Sequence, residues 1–94
     1  MGNRFGDKIK SLREQQHLYL RQVAAHLEID TALLSKIEKG VRNLKKDLVP
    51  KIAEVLNADK EELLTLYLAD QLNEVIKDEP LGKKAMNIII NPNN

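Results

Sequence analysis

The stretch QVAAHLEIDTALLSKIEKG, residues 22–40, contains two short apolar patterns of helical period, separated by Glu28-Ile29-Asp30. Small and apolar residues precede the break, and Leu34 and Ile37 continue the period after it. Two helices that cross at a sharp angle need small side chains where they touch and apolar side chains beyond the turn. The stretch therefore predicts two short helices that pack across a tight turn.

The second of these helices has suitable residues at both ends. Asp30 is a predicted N-cap, because a carboxylate accepts the free backbone N–H groups of a first turn and meets the positive end of the helix dipole. Gly40 suits the left-handed residue that often follows a helix. We therefore expect a helix from about Thr31 to Lys39.

Helical patterns continue toward the N-terminus. Phe5, Ile9 and Leu12 recur at i, i+4 and i+7, with charged residues between them. This spacing predicts a first helix over about residues 4–16. The first helix of the quoted stretch is then the second of the chain, and we expect it to end near Glu28.

Toward the C-terminus, Pro50 allows a fourth helix to begin no earlier than about residue 46. Asp59 and Glu62 predict a capping box for a fifth helix over about residues 60–77, and Pro80 opens a short terminal helix before a frayed end. No strand-like alternation occurs. The predicted fold class is all-α, with a compact five-helix domain over residues 1–68 and a C-terminal helical extension over residues 69–94.

The fifth helix is apolar on two sides. Leu63, Leu66 and Tyr67 fall on one side. A second set, called the α5 stripe below, recurs at i, i+4, i+7 and i+8: Leu68, Leu72, Val75 and Ile76. We expect the terminal segment to cover part of α5 and a second copy of the chain to cover the rest, since two-fold dimers are the commonest small oligomers. The alternative is a monomer in which the terminal segment folds back.

Composition argues against several classes of function. A chain of 94 residues buries only roughly 60–65% of its unfolded surface, which leaves little room for a deep catalytic cavity. The chain has no cysteine, and His17 and His26 have poor metal-ligand spacing. Because no catalytic arrangement of side chains is found either, we expect no enzymatic activity, no metal, no cofactor and no small-molecule ligand. We also expect a soluble, cytoplasmic protein without a membrane partner, because neither a signal peptide nor a membrane-length apolar run is found.

Charge is distributed unevenly along the chain. Residues 1–46 contain ten Lys or Arg and five acidic residues, whereas residues 47–94 contain five Lys and nine acidic residues. The net charge of the whole chain is only +1. A basic half and an acidic half in one small domain favour a surface on which one face meets a polyanion.

The sequence resembles the phage-repressor-like helix-turn-helix domains of the Xre/Cro class over about residues 5–68. The segment LSKIEKG (34–40), followed by Arg42-Asn43 and KIAEVLNADKEELL (51–64), carries the most specific part of the resemblance. This family folds as a compact five-helix domain whose third helix enters the major groove of double-stranded DNA. The resemblance therefore implies that the segment from Thr31 to Lys39 lies against base edges.

Individual positions can be assigned roles from the resemblance. The positions that contact bases in the family carry Thr31, Ala32 and Lys36 here, with Ser35 beside them. The residues expected on the sugar-phosphate backbone are Tyr19, Arg21, Lys39, Arg42, Asn43, Lys45 and Lys46. Arg13 and Glu38 match the ion pair that ties the first helix of the family to the third.

Three positions depart from the family pattern. Leu20 stands where a phosphate-binding Gln is usual, so Tyr19 or Arg21 would have to make that contact instead. Glu28 replaces the usual turn glycine and must adopt a conformation that is often left-handed. Leu33 is larger than the usual residue and either packs inward or reaches a thymine methyl.

The function implied by the resemblance is that of a sequence-specific double-stranded-DNA-binding transcriptional regulator. We expect a homodimer on a palindromic operator, with the α5 stripe as the dimer interface. The alternative is a protein-interaction adapter or antitoxin of the same fold, in which that stripe meets a different protein.

Overall fold

The computed structural model describes residues 3–92. Its helices are α1 (Arg4–Gln15), α2 (Leu20–Leu27), α3 (Thr31–Glu38), α4 (Val49–Val55), α5 (Lys60–Ile76) and α6 (Gly82–Ile90), and a 3-10 turn at Lys46–Leu48 leads into α4. Residues 3–92 contain no strand, and the predicted all-α class is confirmed. The predicted frayed end includes Asn93 and Asn94, which lie outside the described residues.

Helices α1 to α5 share one apolar core. α5 packs against α1 and α4, α2 packs against α3 and α4, and α1 also packs against α3. Each helix contributes a side chain that is almost completely buried: Ile9, Val23, Leu34, Ile52 and Leu63. Isolated helices shorter than about 12–15 residues are marginal in water. The shared core is therefore what stabilises the shorter helices α2, α3 and α4.

Left-handed residues follow the helix ends and turn the chain sharply. α3 ends at Glu38, one residue before the predicted end at Lys39. Gly40 has φ of +77°, the left-handed conformation expected for it. His17, Glu28 and Asn57 also have positive φ, of 56°, 57° and 52°. A left-handed residue other than glycine costs about 1 kcal/mol. The α2–α3 turn thus keeps its geometry with Glu28 in place of glycine, and the packed core on either side offsets the strain.

The two predicted N-caps differ in the structure from expectation. Asp30 occupies the N-cap position of α3, but its side chain caps no N–H group among the described residues. Asp59 accepts a hydrogen bond from the backbone N–H of Glu61 at 3.4 Å, not from that of Glu62. Glu62 instead pairs with Lys8 of α1 at 3.4 Å. The predicted capping box is therefore wrong, because the Glu62 carboxylate is used to join α5 to α1.

The start of α1 is held by side chains from distant parts of the chain. Asp70 of α5 accepts hydrogen bonds from the backbone N–H groups of Phe5, at 2.9 Å, and Arg4, at 3.2 Å. The same carboxylate pairs with the Arg4 guanidinium at 3.1 Å. Asn3 donates from its Nδ2 to the backbone oxygen of Glu38 at 2.9 Å. α1 therefore begins at a point fixed by both α5 and the end of α3.

α1 and the end of α3 approach each other most closely at Gly6. A Cβ atom at this position would lie 2.6 Å from the backbone oxygen of Glu38 and 2.7 Å from that of Ile37. It would also clash with Oδ1 of Asn3. The Asn3 side chain could move aside, but the two oxygens belong to the backbone of α3 and could not. Gly6 therefore sets how closely the two helices pack.

A buried ion pair joins α1 to α3. Arg13 donates from Nε to Oε2 of Glu38 at 2.8 Å and from Nη2 to Oε1 at 3.1 Å. Its Nη1 donates to the backbone oxygen of Leu18 at 2.9 Å. The hydrogen bond to Glu38 raises the pKa of the Arg13 guanidinium above its ordinary value. One arginine thus links α1, the α1–α2 turn and the last residue of α3.

α6 extends the molecule and leaves the α5 stripe largely uncovered. Gly82 is the one buried residue of α6, and it lies directly against Ile76. Leu68, Leu72 and Val75 remain 42%, 49% and 75% exposed, and Ile76 is half-buried. The expectation that the terminal segment covers part of α5 therefore holds at Ile76 and fails along the rest of the stripe. The division at residue 68 stays a prediction, since α5 passes through this position as one helix.

Replacing Arg13 by Ala is expected to lower the free energy of unfolding by about 3–5 kcal/mol, because the buried Glu38 carboxylate would lose its partner. An Arg13→Leu/Glu38→Leu variant should recover most of this loss, since no charge remains buried. As a control, Lys8→Ala breaks an exposed pair and should cost at most about 1 kcal/mol. Urea unfolding measures all three, and equal losses for Arg13→Ala and Lys8→Ala would contradict the role given to the buried pair.

Candidate nucleic-acid interface

α3 has one buried face and one exposed face. Leu34 and Ile37 point into the core and are 0% and 2% exposed. Ala32 and Lys36 are exposed on the opposite side, and Thr31 is exposed at the first residue of the helix. Because the buried face packs against α1 and α2, the helix cannot rotate to hide these three side chains. All three residues for which the resemblance implies base contacts are thus exposed on α3.

The two remaining α3 side chains near this face behave differently. Ser35 is half-buried, so it lies at the edge of the exposed face. Leu33 is also half-buried and packs against the core. It lines a groove of about 340 Å³ between the α2–α3 turn and the loop after α3, together with Glu28 and Arg42. Of the two expectations for Leu33, the structure supports inward packing.

The loop between α3 and the 3-10 turn is anchored by one apolar residue. Leu44 is 3% exposed, and its backbone oxygen accepts a hydrogen bond from the Tyr67 hydroxyl at 2.7 Å. The Tyr67 ring packs edge to face against Phe5, with ring centroids 5.5 Å apart. The four polar and basic side chains around this anchor are all exposed: Arg42, Asn43, Lys45 and Lys46. Burial of Leu44 therefore orients them toward solvent.

Arg21 and Tyr19 form a stacked pair at the start of α2. The Arg21 guanidinium carbon lies 4.4 Å from the centre of the Tyr19 ring, and Tyr19 is 59% exposed. The backbone N–H of Tyr19 donates to Oε1 of Gln22 at 2.8 Å, which fixes the first turn of α2. Leu20 is half-buried and packs against the core. Leu20, at the position of the family glutamine, therefore packs against the core. The stack holds the exposed side chains of Tyr19 and Arg21 together.

The basic side chains of this surface have no acidic partners within residues 3–92. Ion pairs of the described chain join Arg4 to Asp70, Lys8 to Glu62, Arg13 to Glu38 and Lys77 to Glu74. None of them involves the cations around α3, namely Arg21, Lys36, Lys39, Arg42, Lys45 and Lys46. These charges can therefore bind an external anion. Glu28 and Asp30 are also exposed at the α2–α3 turn and add negative charge at the edge of this basic surface.

The described part of the chain contains neither a candidate metal site nor a helix that could span a membrane. Residues 3–92 contain no group of three or more His, Asp or Glu side chains that could hold a metal ion. Within the same range, no helix combines the length and the apolar composition that are needed to cross a membrane.

The sequence analysis did not predict the residues that support this surface from the core side. Leu44 is the single apolar residue between Val41 and Leu48 in a basic loop, and this isolation is the one local signal for an anchor. The contact from Tyr67 to its backbone oxygen spans 23 positions, and no local pattern indicates it. Asp70 likewise lies 65 positions from Phe5, whose N–H group donates to it.

Comparison with known proteins identifies related sequences. A family model described as "Helix-turn-helix domain" matches residues 6–68. The HTH-type transcriptional repressor RghR of Bacillus subtilis (strain 168) is 35% identical over 72 residues, which cover 76% of this chain and 52% of the relative. RghRB of the same strain, an uncharacterized HTH-type transcriptional regulator, is 36% identical over 61 residues, covering 64% and 44%.

A third relative comes from Mycobacterium tuberculosis (strain ATCC 25618 / H37Rv). It is an uncharacterized HTH-type transcriptional regulator, 34% identical over 58 residues that cover 62% of this chain and 41% of the relative. The chain thus spans about half the length of the curated relatives that it matches. No solved structure matches it. The matched range contains α2, α3 and the turn between them, and the chain therefore belongs to the Xre-like helix-turn-helix regulator family.

Proposed function

We propose that this chain is a sequence-specific double-stranded-DNA-binding transcriptional regulator that acts as a homodimer on a palindromic operator. The observation that carries the proposal is the two-sided character of α3. Its inner face is held by Leu34, Ile37 and the Arg13–Glu38 pair. Its outer face is exposed, and the cations around it form no ion pair with any other residue of the range 3–92. The names of its relatives as transcriptional repressor or regulators support the same function.

The outer face of α3 has the chemistry needed to read bases. Lys36 can donate to O6 and N7 of guanine, and the Thr31 hydroxyl can hydrogen-bond to either kind of base pair. The methyl group of Ala32 can contact a thymine methyl. In this proposal Ser35, at the edge of the face, adds a further hydroxyl. These side chains would supply sequence preference, because the major groove presents a different pattern for each base pair.

The surrounding polar and basic residues would supply affinity. Lys39, Arg42, Asn43, Lys45 and Lys46 follow the exposed face of α3 along the chain, and Tyr19 with Arg21 precedes it at the start of α2. Each phosphate that a cation neutralises releases condensed counterions, which favours binding without selecting a sequence. The stack on Tyr19 would hold the Arg21 guanidinium ready for a phosphate that the apolar Leu20 side chain is unable to bind.

Dimerisation would increase the number of base pairs that the protein contacts and therefore its sequence specificity. A single α3 contacts only a few base pairs, whereas two copies related by a two-fold axis read two half-sites about one helical turn apart. The proposed interface is the α5 stripe, whose Leu68, Leu72 and Val75 are exposed in the single chain. The same exposure favours the second candidate function, an adapter or antitoxin that uses this stripe to bind a different protein.

Selection of duplexes from a random pool by the purified protein tests the proposal. We expect enrichment of a palindrome with half-sites about ten base pairs apart, since that spacing matches a two-fold pair of α3 helices. Sequencing of the retained pool gives the motif. A pool without enrichment, released at moderate salt, would favour the adapter function instead.

Replacing Lys36 by Ala should weaken binding to the selected operator by about 1–3 kcal/mol and relax the preference at one position in each half-site. Fluorescence anisotropy with the operator and its single-base variants measures both effects. Lys10→Ala removes an exposed lysine of α1 as a matched control and should change neither. If the sequence preference of Lys36→Ala is unchanged, Lys36 does not contact a base.

Replacing Arg42 by Ala should weaken binding about equally on all duplexes, because phosphates carry no sequence information. The slope of log K against log salt should become shallower by roughly one contact, or about 0.9. Titrations between about 50 and 200 mM salt give this slope. Arg42→Lys keeps the charge and should keep the wild-type slope. A larger effect on the operator than on random duplexes would instead place Arg42 on a base.

A further inference from the structure

Exposed large apolar side chains are concentrated at the C-terminal end of the described chain. Nine such residues are exposed within residues 3–92, and seven of them lie between positions 68 and 90. The seven are Leu68, Leu72, Val75, Leu81, Ile88, Ile89 and Ile90. Scattered apolar residues on a surface need no explanation, but a concentration of this kind marks an interaction site.

α6 is amphipathic, and its apolar side faces solvent. Ile88, Ile89 and Ile90 are 64%, 72% and 66% exposed, whereas Lys83, Lys84 and Asn87 form its polar side. A helix as short as Gly82–Ile90 is not stable in water by itself and needs an apolar face to pack against another element. Within residues 3–92, no other element covers the apolar side of α6.

The corner between α5 and α6 is tight, and α6 does not cover most of the α5 stripe of its own chain. A Cβ atom at Gly82 would lie 2.7 Å from Cβ of Ile76, and the backbone N–H of Gly82 donates to the backbone oxygen of Glu79 at 3.0 Å. Beyond this corner Leu68 and Leu72 remain exposed, so α6 does not pack over them. The described chain measures 47 × 23 × 22 Å, with a radius of gyration of 14.9 Å. A compact chain of the same length would have about 12 Å.

We propose that α6 of one copy packs on the α5 stripe of a second copy, and the reverse, in a two-fold symmetric exchange. Each chain carries both an uncovered stripe and an uncovered helix, which is the self-complementary arrangement that a two-fold interface requires. The inference rests on the homodimer of the proposed function and specifies which element of the partner covers the stripe.

Charge supports this pairing. Residues 60–79, which comprise α5 and the start of the corner, contain six acidic residues and two lysines. α6 contains Lys83 and Lys84 and no acidic residue. Glu62, Asp70 and Glu74 already pair with Lys8, Arg4 and Lys77. The other three acids, Glu61, Asp78 and Glu79, form no ion pair within residues 3–92. An α6 that lies on a partner's α5 would bring Lys83 and Lys84, on its polar side, toward this remaining acidic charge.

Cysteine cross-linking tests the exchange directly, because the chain contains no cysteine of its own. Leu72→Cys and Ile89→Cys chains with different tags are mixed and oxidised gently, and the products are separated without reductant. We expect the mixed 72–89 disulfide to exceed either symmetric product at least fivefold. Lys10→Cys, on exposed α1, is the control partner for Ile89→Cys and should give little product.

Two results of this experiment would overturn the exchange. A dominant 72–72 product would mean that the two α5 helices pack against each other without α6. An intrachain disulfide in the Leu72→Cys/Ile89→Cys chain, formed at high dilution, would mean that α6 folds back in a monomer.

Light scattering supplies a second test. Leu72→Asp and Ile89→Asp should each raise the dimer dissociation constant at least tenfold, whereas Asn87→Asp, on the polar side of α6, should leave it within about twofold. Circular dichroism confirms that each variant is folded. An Ile89→Asp chain that dimerises like the wild type would contradict the exchange.

Duplex binding separates failure of this inference from failure of the proposed function. A protein that binds a palindrome as a dimer, without the 72–89 disulfide, disproves the exchange alone. A protein that gives this disulfide and binds no duplex disproves the DNA-binding function alone.

Discussion

The bidentate ion pair between Arg13 and Glu38 is the interaction on which the rest of the structure depends. Glu38 is 5% exposed, and a carboxylate buried to this degree is tolerated only with a partner that satisfies its oxygens. Arg13 supplies that partner and also binds the backbone oxygen of Leu18. Because Glu38 ends α3, the pair fixes this helix to α1 and to the turn before α2. The orientation of the outer face of α3 follows from this constraint.

Two further contacts act at the same end of α3. Gly6 allows the backbone of α1 to approach Ile37 and Glu38 closely, and Asn3 donates to the Glu38 backbone oxygen. The start of α1 is in turn held by Asp70 of α5. The exposed face of α3 is thus supported from the core side by a chain of polar contacts. A surface that meets a rigid ligand benefits from such support, because little ordering remains to be done on binding.

The distribution of charge follows from which cations have partners. Acidic residues on α3 and α5 pair with the cations of α1, whereas the cations of α3, the following loop and the start of α2 have no partner within residues 3–92. Leu44 and Tyr67 hold that loop from beneath and so keep its cations outward. α5 contributes to the core through Leu63 and leaves a second apolar side exposed. One helix thus contributes to the core of the folded domain and also exposes apolar side chains to solvent.

Local sequence determined the helices, the α2–α3 turn and the inward and outward faces of α3, because these depend on spacings of a few residues between apolar, small and capping side chains. It also placed the second apolar side of α5. Tertiary structure alone decided that Glu62 pairs with Lys8 and not with its own helix end, that Asp70 caps α1, and that α6 leaves most of the stripe uncovered. The reason is physical: each of these outcomes is a competition between a local partner and a distant one, and only the packed chain brings the distant partner within reach.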